Sequence, residues 1–331
     1  MNAARKLVIW DDGWAPYAAE FAARLEPGWR VWADTGDTRW LREQIGDADA
    51  LVALGMPVEA LPDARKLSLF LFPGAGLLTP DPEAFPAGCP VVNVFEHDAP
   101  VAEYVLMVML LHTTGLGGYL ESFRAGRWDG SGRVGGMPHG ELAGRTAGLF
   151  GYGRIGQAVA ARARAFGMRI AAVSGGPIAT HLPQPDFAGG PEELPELLRQ
   201  SDFLVIAAPL TPATEGRIGT RELELLPPGA MLVNVSRAAI VDERSLYEAL
   251  AGGRLAGAAL DVWYRYPPPG ECGHGSVFPF HTLPNVICTP HYSAWSRAMI
   301  LRRIERMTEN LKRLARGEEL ERVVLVGTWR P

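Results

Sequence analysis

The sequence predicts an α/β protein with two domains built on parallel sheets, and three observations carry that expectation. Short apolar runs bounded by Gly, Pro or Asp alternate with helix-periodic segments along the chain. A glycine turn of the form G-x-G-x-x-G separates one such run from one such helix. The length, 331 residues, exceeds what one hydrophobic core usually serves.

Taken in order, residues 7–10, 50–54, 67–72 and 91–94 read as strands, with helices at 17–25 and 38–45 between them. A single long apolar helix is expected from 101 to 123, then a glycine-rich stretch over 126–140. The run 146–150 leads into the glycine turn, the helix 154–166 leaves it, and 168–173 reads as the next strand. Further strands are expected at 203–207, 231–235, 257–260 and 286–288. Residues 267–275 read as a loop. A final helix over 293–316 carries Arg and Glu, read as a solvated face.

The glycine turn predicts dinucleotide binding on a Rossmann-like domain. Gly151 permits the tight turn, Gly153 lets backbone approach a pyrophosphate, and Gly156 allows close packing of helix on strand. The helix N-terminus then aims unpaired N–H groups at the anion. An NAD-binding fold usually places Asp or Glu at the end of the second strand, against the adenosine ribose. Ser174 stands there instead, with Arg154 and His181 the nearest basic residues. No carboxylate repels a 2′-phosphate, so the expected cofactor is NAD(P), with NADP(H) favoured.

Composition excludes other classes. Hydrophobic residues make up 47% and charged residues 21%, as in globular α/β proteins. A net charge of −5 argues against nucleic acid or a membrane surface as partner. No apolar run reaches the roughly 18 residues of a transmembrane helix. The N-terminus lacks a signal-peptide pattern. Cys89, Cys272 and Cys288 are odd in number and lack metal-ligand spacing. Reduced thiols, a cytoplasmic location and no metal are therefore expected.

Separated segments together resemble the D-isomer-specific 2-hydroxyacid dehydrogenases over essentially the whole chain. They are Gly74-Ala75-Gly76, Val101-Ala102-Glu103, the glycine turn, Pro209-Leu210-Thr211 with Thr214, and Asn234-Val235-Ser236-Arg237. Ala259-Leu260-Asp261-Val262 and Pro284-Asn285-Val286, running to Thr289-Pro290-His291, complete the set. The resemblance implies two doubly wound Rossmann-like domains, the nucleotide-binding domain (103–292) inserted into a flavodoxin-like substrate domain (1–102 and 293–331). It implies an active site in the interdomain cleft and hydride transfer between nicotinamide and C2 of a 2-keto or 2-hydroxy acid. Arg237 then matches the substrate-binding Arg, able to hold carboxylate and carbonyl through paired donors. His291 matches the general acid. Asp261 matches the residue that holds the nicotinamide carboxamide, with a structural cap as its plainer alternative. Ala75 and Gly76 offer backbone N–H groups to the substrate carboxylate, or serve only as a turn. Arg154 and Ile155 lie by the pyrophosphate, and Pro209 and Thr214 border the adenosine and nicotinamide ends. Val235, Ser236 and Ser293 complete the implied cofactor contacts. His97, beside Glu96, touches substrate or remains at the surface. A homodimer through the helix after Val101 is also implied.

The chain departs from the family in two places. Ala238 follows Arg237 where the family has Gly. Tyr266 stands where the family has the Glu that pairs with the catalytic His. A neighbouring carboxylate raises a His pKa; without it His291 should titrate near the ordinary value of about 6.5. Tyr266 through its hydroxyl, or Glu271 from the following loop, is then the expected partner, and reduction should be favoured at lower pH. Asp261-Val262-Trp263 with Ser293 also resembles formate dehydrogenases, and the missing Glu leaves room for a non-catalytic nucleotide sensor. Trp263, Tyr264, Tyr266, Tyr292 and Trp295 hint at a bulky or aromatic substrate side chain, or at core packing.

Overall fold

The computed structural model describes residues 4–76, 81–176, 178, 184–268 and 271–330. His181 therefore lies outside the described residues. The chain divides into two compact units, Met1–Glu96 with Ser296–Pro331, and His97–Trp295.

In the first unit, β1 (Arg5–Trp10), α1 (Ala18–Arg24), β2 (Trp29–Asp34), α2 (Thr38–Ile45), β3 (Ala50–Val52), β4 (Leu69–Phe72) and β5 (Pro90–Asn93) follow in order. The parallel strands line up as β2-β1-β3-β4-β5, the flavodoxin-like order. Successive side chains alternate between faces, as strand geometry requires. Leu7, Ile9, Val52 and Leu71 face Phe21 of α1, whereas Val8, Leu51 and Phe70 face Leu41 and Ile45 of α2. With both faces covered, the strands read as continuous apolar runs rather than alternating ones.

The second unit opens with α3 (Asp98–Thr114) and α4 (Leu116–Arg124). The one helix expected over 101–123 is thus two. Gly115 adopts φ +62°, which ends the hydrogen-bond ladder of α3, and the two helices meet at a bend of 62°. There follow β6 (Thr146–Phe150), α5 (Arg154–Ala165), β7 (Arg169–Val173), β8 (Phe187–Gly189), α6 (Leu194–Arg199), β9 (Phe203–Ile206), α7 (Thr220–Leu225), β10 (Met231–Asn234), α8 (Glu243–Ala251), β11 (Gly257–Leu260) and β12 (Val286–Cys288). All seven strands are parallel, in the order β8-β7-β6-β9-β10-β11-β12, with the direction of winding reversing between β6 and β9. That is the Rossmann order extended by one strand. Leu149, Ile170, Val205 and Val233 pack against α3 and α5, and Phe150, Val173, Ile206 and Leu232 against α6, α7 and α8.

The chain then returns to the first unit as α9 (Arg297–Arg316), capped by Ser296, whose Oγ accepts from Met299 N at 3.2 Å. Met299, Ile300, Ile304, Met307 and Leu311 form its buried stripe. Its charges are not all solvated, contrary to the sequence expectation. Arg303 lies on the buried side, only 8% exposed, because two main-chain carbonyls meet its guanidinium there. Finally β13 (Val323–Val326) adds antiparallel to β5 at the sheet edge. Among the described residues no single helix is long and apolar enough to cross a membrane.

Candidate active site

The glycine turn joins β6 to α5 at the winding reversal. Gly151 takes φ +108°, and a Cβ there would fall 2.4 Å from Ala208 N, at the end of β9. At Gly156 a Cβ would fall 2.3 Å from Gly151 O. The fold itself demands both glycines. Gly153 differs: it is exposed, caps α5, and a Cβ there would meet nothing within 4 Å. The main chain beside it is open, and the N–H groups of Arg154 and Ile155 belong to the helix end whose donors have no intrahelical acceptor. This cradle fits a pyrophosphate.

Around the cradle stand the ends of the neighbouring strands. Ser174 follows β7, its N–H donating to Gly189 O at 3.0 Å. The Arg154 guanidinium meets Asp98 in the first turn of α3 at 3.1 Å. After β9, Thr214 Oγ1 donates to Pro209 O at 2.7 Å and accepts from Thr211 N at 2.8 Å, closing that loop on itself. The Ser236 hydroxyl donates to Ala208 O, tying the end of β10 to that of β9.

Val235 and Ser236 are buried, and Arg237 emerges half-buried beyond them. Asn234 shapes this exit: Oδ1 accepts from Ser236 N at 3.1 Å and Nδ2 donates to Arg237 O at 3.1 Å. Ala238 opens a short 3-10 turn with its side chain buried and without a positive φ. Its methyl group therefore fits where the family has Gly.

Asp261, fully buried at the end of β11, organises the segment after β12. Its carboxylate accepts from Thr289 Oγ1 at 2.6 Å, Tyr292 N at 2.9 Å and Ser293 N at 3.0 Å. These bonds straddle His291, which is held at φ +57°. Thr289 gives its proton to Asp261, so Tyr104 Oη, 2.9 Å away, donates to Thr289. Burial keeps the Tyr104 phenol protonated, well above the ordinary range.

His291 Nδ1 lies 2.8 Å from Tyr266 Oη. The Trp263 N–H also donates to that oxygen at 3.3 Å. The remaining phenol proton suits a neutral Nδ1, and a free lone pair suits Nδ1–H of imidazolium. Glu271 forms no hydrogen bond with His291 among the described residues. The pKa of His291 lies below its ordinary value: desolvation dominates, Asp261 opposes it, and the Arg237 charge adds to it. Partial desolvation of its hydroxyl likewise raises Tyr266 above the ordinary phenol range.

The structure thus brings Arg237, Asp261, Tyr266, His291 and Ser293 together at the strand ends of the second unit. Ala75 and Gly76 belong to the first unit, in the segment after β4. His97 is the half-buried N-cap residue of α3. Of the aromatic residues, Trp263 Nε1 donates to Thr289 O at 2.8 Å and Tyr264 Oη to Val241 O at 2.8 Å, so both brace the fold. Tyr292 and Trp295 are exposed. Sequence reasoning missed Tyr104 and the hydroxyl of Thr289; a Tyr inside an apolar helix reads as core.

Residues 106–293 match the family model for the D-isomer specific 2-hydroxyacid dehydrogenase, NAD binding domain. The chain is 36% identical over 307 residues to D-3-phosphoglycerate dehydrogenase of Methanocaldococcus jannaschii, covering 91% of this chain but 56% of that one, about half its length. It is 34% identical over 293 residues to glyoxylate reductase of Thermococcus litoralis, covering 84% of each. Among solved structures, a D-isomer specific 2-hydroxyacid dehydrogenase family protein from Aeromonas salmonicida subsp. salmonicida superposes with a TM-score of 0.81 at 28% identity, covering 98% of this chain and 99% of that one.

Proposed function

The chain belongs to the D-isomer specific 2-hydroxyacid dehydrogenase family, and on that premise we propose that Arg237 and His291 carry its NAD(P)-dependent interconversion of a 2-keto acid and a D-2-hydroxy acid. The observation that carries this reading is the 2.8 Å contact of Tyr266 Oη with His291 Nδ1, which leaves Nε2 as the proton-transfer atom. The nicotinamide, when bound, supplies or accepts the hydride. Arg237 holds the substrate carbonyl and carboxylate through its fork of donors. As negative charge develops on the carbonyl oxygen, the Arg237 guanidinium stabilises it and His291 Nε2–H delivers the proton. In the reverse direction neutral His291, its one ring proton on Nδ1 and donated to Tyr266 Oη, accepts that proton at Nε2. Asp261 keeps the imidazole aimed and favours its charged form. Ala75 and Gly76 bind the substrate carboxylate through their N–H groups, and His97 takes part in substrate contact. Gly151, Gly153, Arg154, Ile155 and Gly156 hold the pyrophosphate, with Pro209, Thr214, Val235, Ser236, Asp261 and Ser293 along the rest of the cofactor.

The non-catalytic alternative rested on loss of the partner of His291; Tyr266 supplies one, which supports turnover. Formate oxidation needs no proton relay, and the Tyr266–His291 pair favours the 2-keto acid reading over it. Ser174, without a carboxylate beside it, supports NADP(H) over NAD. The likeness to glyoxylate reductase makes glyoxylate the first substrate to test. The protein further works as a cytoplasmic homodimer.

The test pairs NADPH and NADH with glyoxylate, hydroxypyruvate and phenylpyruvate. Arg237→Ala should lower kcat/KM by about 100-fold or more, with the affinity for reduced cofactor unchanged. Cofactor binding without turnover across the panel would restore the sensor reading. Loss of cofactor affinity in the variant would remove Arg237 from the substrate.

A further inference from the structure

We propose that Arg303, with Asn93, is a positioning residue that aims the peptide N–H groups of Gly74, Ala75 and Gly76 at the substrate carboxylate, an inference that rests on the 2-keto acid reading above. In a trans peptide the C=O and the following N–H lie in one plane and point opposite ways. Pinning a carbonyl therefore aims the next amide. Three consecutive carbonyls are pinned here. Pro73 O accepts from Arg303 Nη1 at 2.8 Å, Gly74 O from Val94 N at 3.0 Å, and Ala75 O from Asn93 Nδ2 at 2.6 Å. The N–H groups of Gly74, Ala75 and Gly76 point away from those partners, and among the described residues none of them donates a hydrogen bond.

Arg303 is an odd choice for a purely structural role. Its neighbours on the buried stripe of α9 are Met299, Ile300, Ile304 and Met307, and a methionine would pack there without removing a charge from water. The guanidinium does what no apolar side chain can: Nε donates to Phe95 O at 2.6 Å while Nη1 donates to Pro73 O, joining the segments that leave β4 and β5. Burial pushes its pKa down to about 10, so it stays charged at neutral pH. Its hydrogen-bond partners are carbonyls, not a carboxylate, so its positive charge is not cancelled at contact. The nearby Glu96 carboxylate is engaged instead by Arg306 at 3.1 Å and Arg302 at 3.6 Å. A cation buried behind a row of aimed amides favours an anion in front of them.

The experiment compares wild type, Arg303→Met, Arg303→Lys and Asn93→Ala. Steady-state kinetics with glyoxylate, inhibition by oxamate and binding of reduced cofactor are measured for each. Arg303→Met and Asn93→Ala should raise KM and the oxamate Ki together by about tenfold or more, with kcat within about threefold, the pattern of lost uniform binding. Cofactor affinity should not move. Arg303→Lys should fall between, because one ammonium lacks the fork that serves both carbonyls. If Arg303→Met does not fold, Asn93→Ala decides alone. Unchanged KM and Ki in active variants, or a fall confined to kcat, would overturn the clamp and leave the 2-keto acid reading standing. A wild type that neither turns over the acid nor binds oxamate would remove that reading, and the clamp with it.

Discussion

His291 occupies the left-handed region at φ +57°, a backbone state that costs an ordinary residue on the order of 1–2 kcal/mol. The three hydrogen bonds to the buried Asp261 carboxylate from Thr289, Tyr292 and Ser293 offset that cost. Its pKa is lowered by burial and Arg237, with Asp261 opposing. Reduction needs imidazolium, so kcat/KM for keto-acid reduction should climb as pH falls, with its limb below about pH 6.5. Oxidation needs the neutral ring and should climb towards a plateau above that pH. A reduction limb centred above pH 7 would contradict this assignment. Tyr266→Glu places a carboxylate at Nδ1 and should move the limb up by about one unit or more. Tyr266→Phe removes the hydroxyl and should cost about tenfold in kcat, with the limb still below the ordinary value. Both are read from pH–rate profiles. The placement of Arg237, Asp261 and His291 just beyond β10, β11 and β12 was legible because each follows a recognisable apolar run, whereas their proposed roles came from the family resemblance. The support of His291 by Tyr104 and Thr289 was not legible: a hydroxyl chain between a helix and a distant loop leaves no spacing pattern.

Among the elements, the β6–turn–α5 unit separates what folding requires from what a ligand requires. Gly151→Ala would drive a methyl group into the end of β9 at a positive φ, so it should destabilise the protein as well as abolish cofactor binding. Gly153→Ala meets no protein atom within 4 Å and lies at φ −76°. It should leave the melting temperature nearly unchanged and weaken NAD(P)H binding by about tenfold or more, as thermal unfolding and cofactor fluorescence titration would show. Equal losses of stability in the two variants would argue that the turn is only structural. This unit was legible because the glycines, an apolar run and a helical period coincide; β6 spans the run expected for it, as β11 and β12 do theirs. The break at Gly115 was not, since a helix tolerates an interior glycine at a cost near 1 kcal/mol. Nor was Arg303, because an amphipathic stripe tells which side is buried but not that carbonyls wait at its rim. β2, β8 and β13 escaped notice because two edge strands without a buried run and a three-residue strand carry little periodic signal.

For the molecule as a whole, the proposed homodimer has a surface suited to it. Met107, Leu116, Leu120 and Phe123 stand exposed on α3 and α4, too many large apolar groups in one region for scattered surface residues. A Met107→Glu, Leu120→Glu double variant should sediment as a folded monomer while wild type sediments as a dimer; a monomeric wild type at micromolar concentration would refute the pairing. The parallel sheets were legible from short apolar runs alternating with helical segments, and their doubly wound form from the family resemblance. Strand order was not, because pairing between distant segments is written in three dimensions rather than in local pattern. The first unit is made of two stretches of chain, and this has a bearing on its birth at the ribosome. Translation yields Met1–Glu96 long before α9 and β13, whereas His97–Trp295 emerges as one continuous stretch able to close its own core. Until the last segment is synthesised, Leu7, Ile9 and Leu71 lack the cover of Met299, Ile304 and Leu311. Nascent chains halted before Arg297 should therefore hold chaperones that grip bare apolar surface, and release them once the final helix clears the exit tunnel.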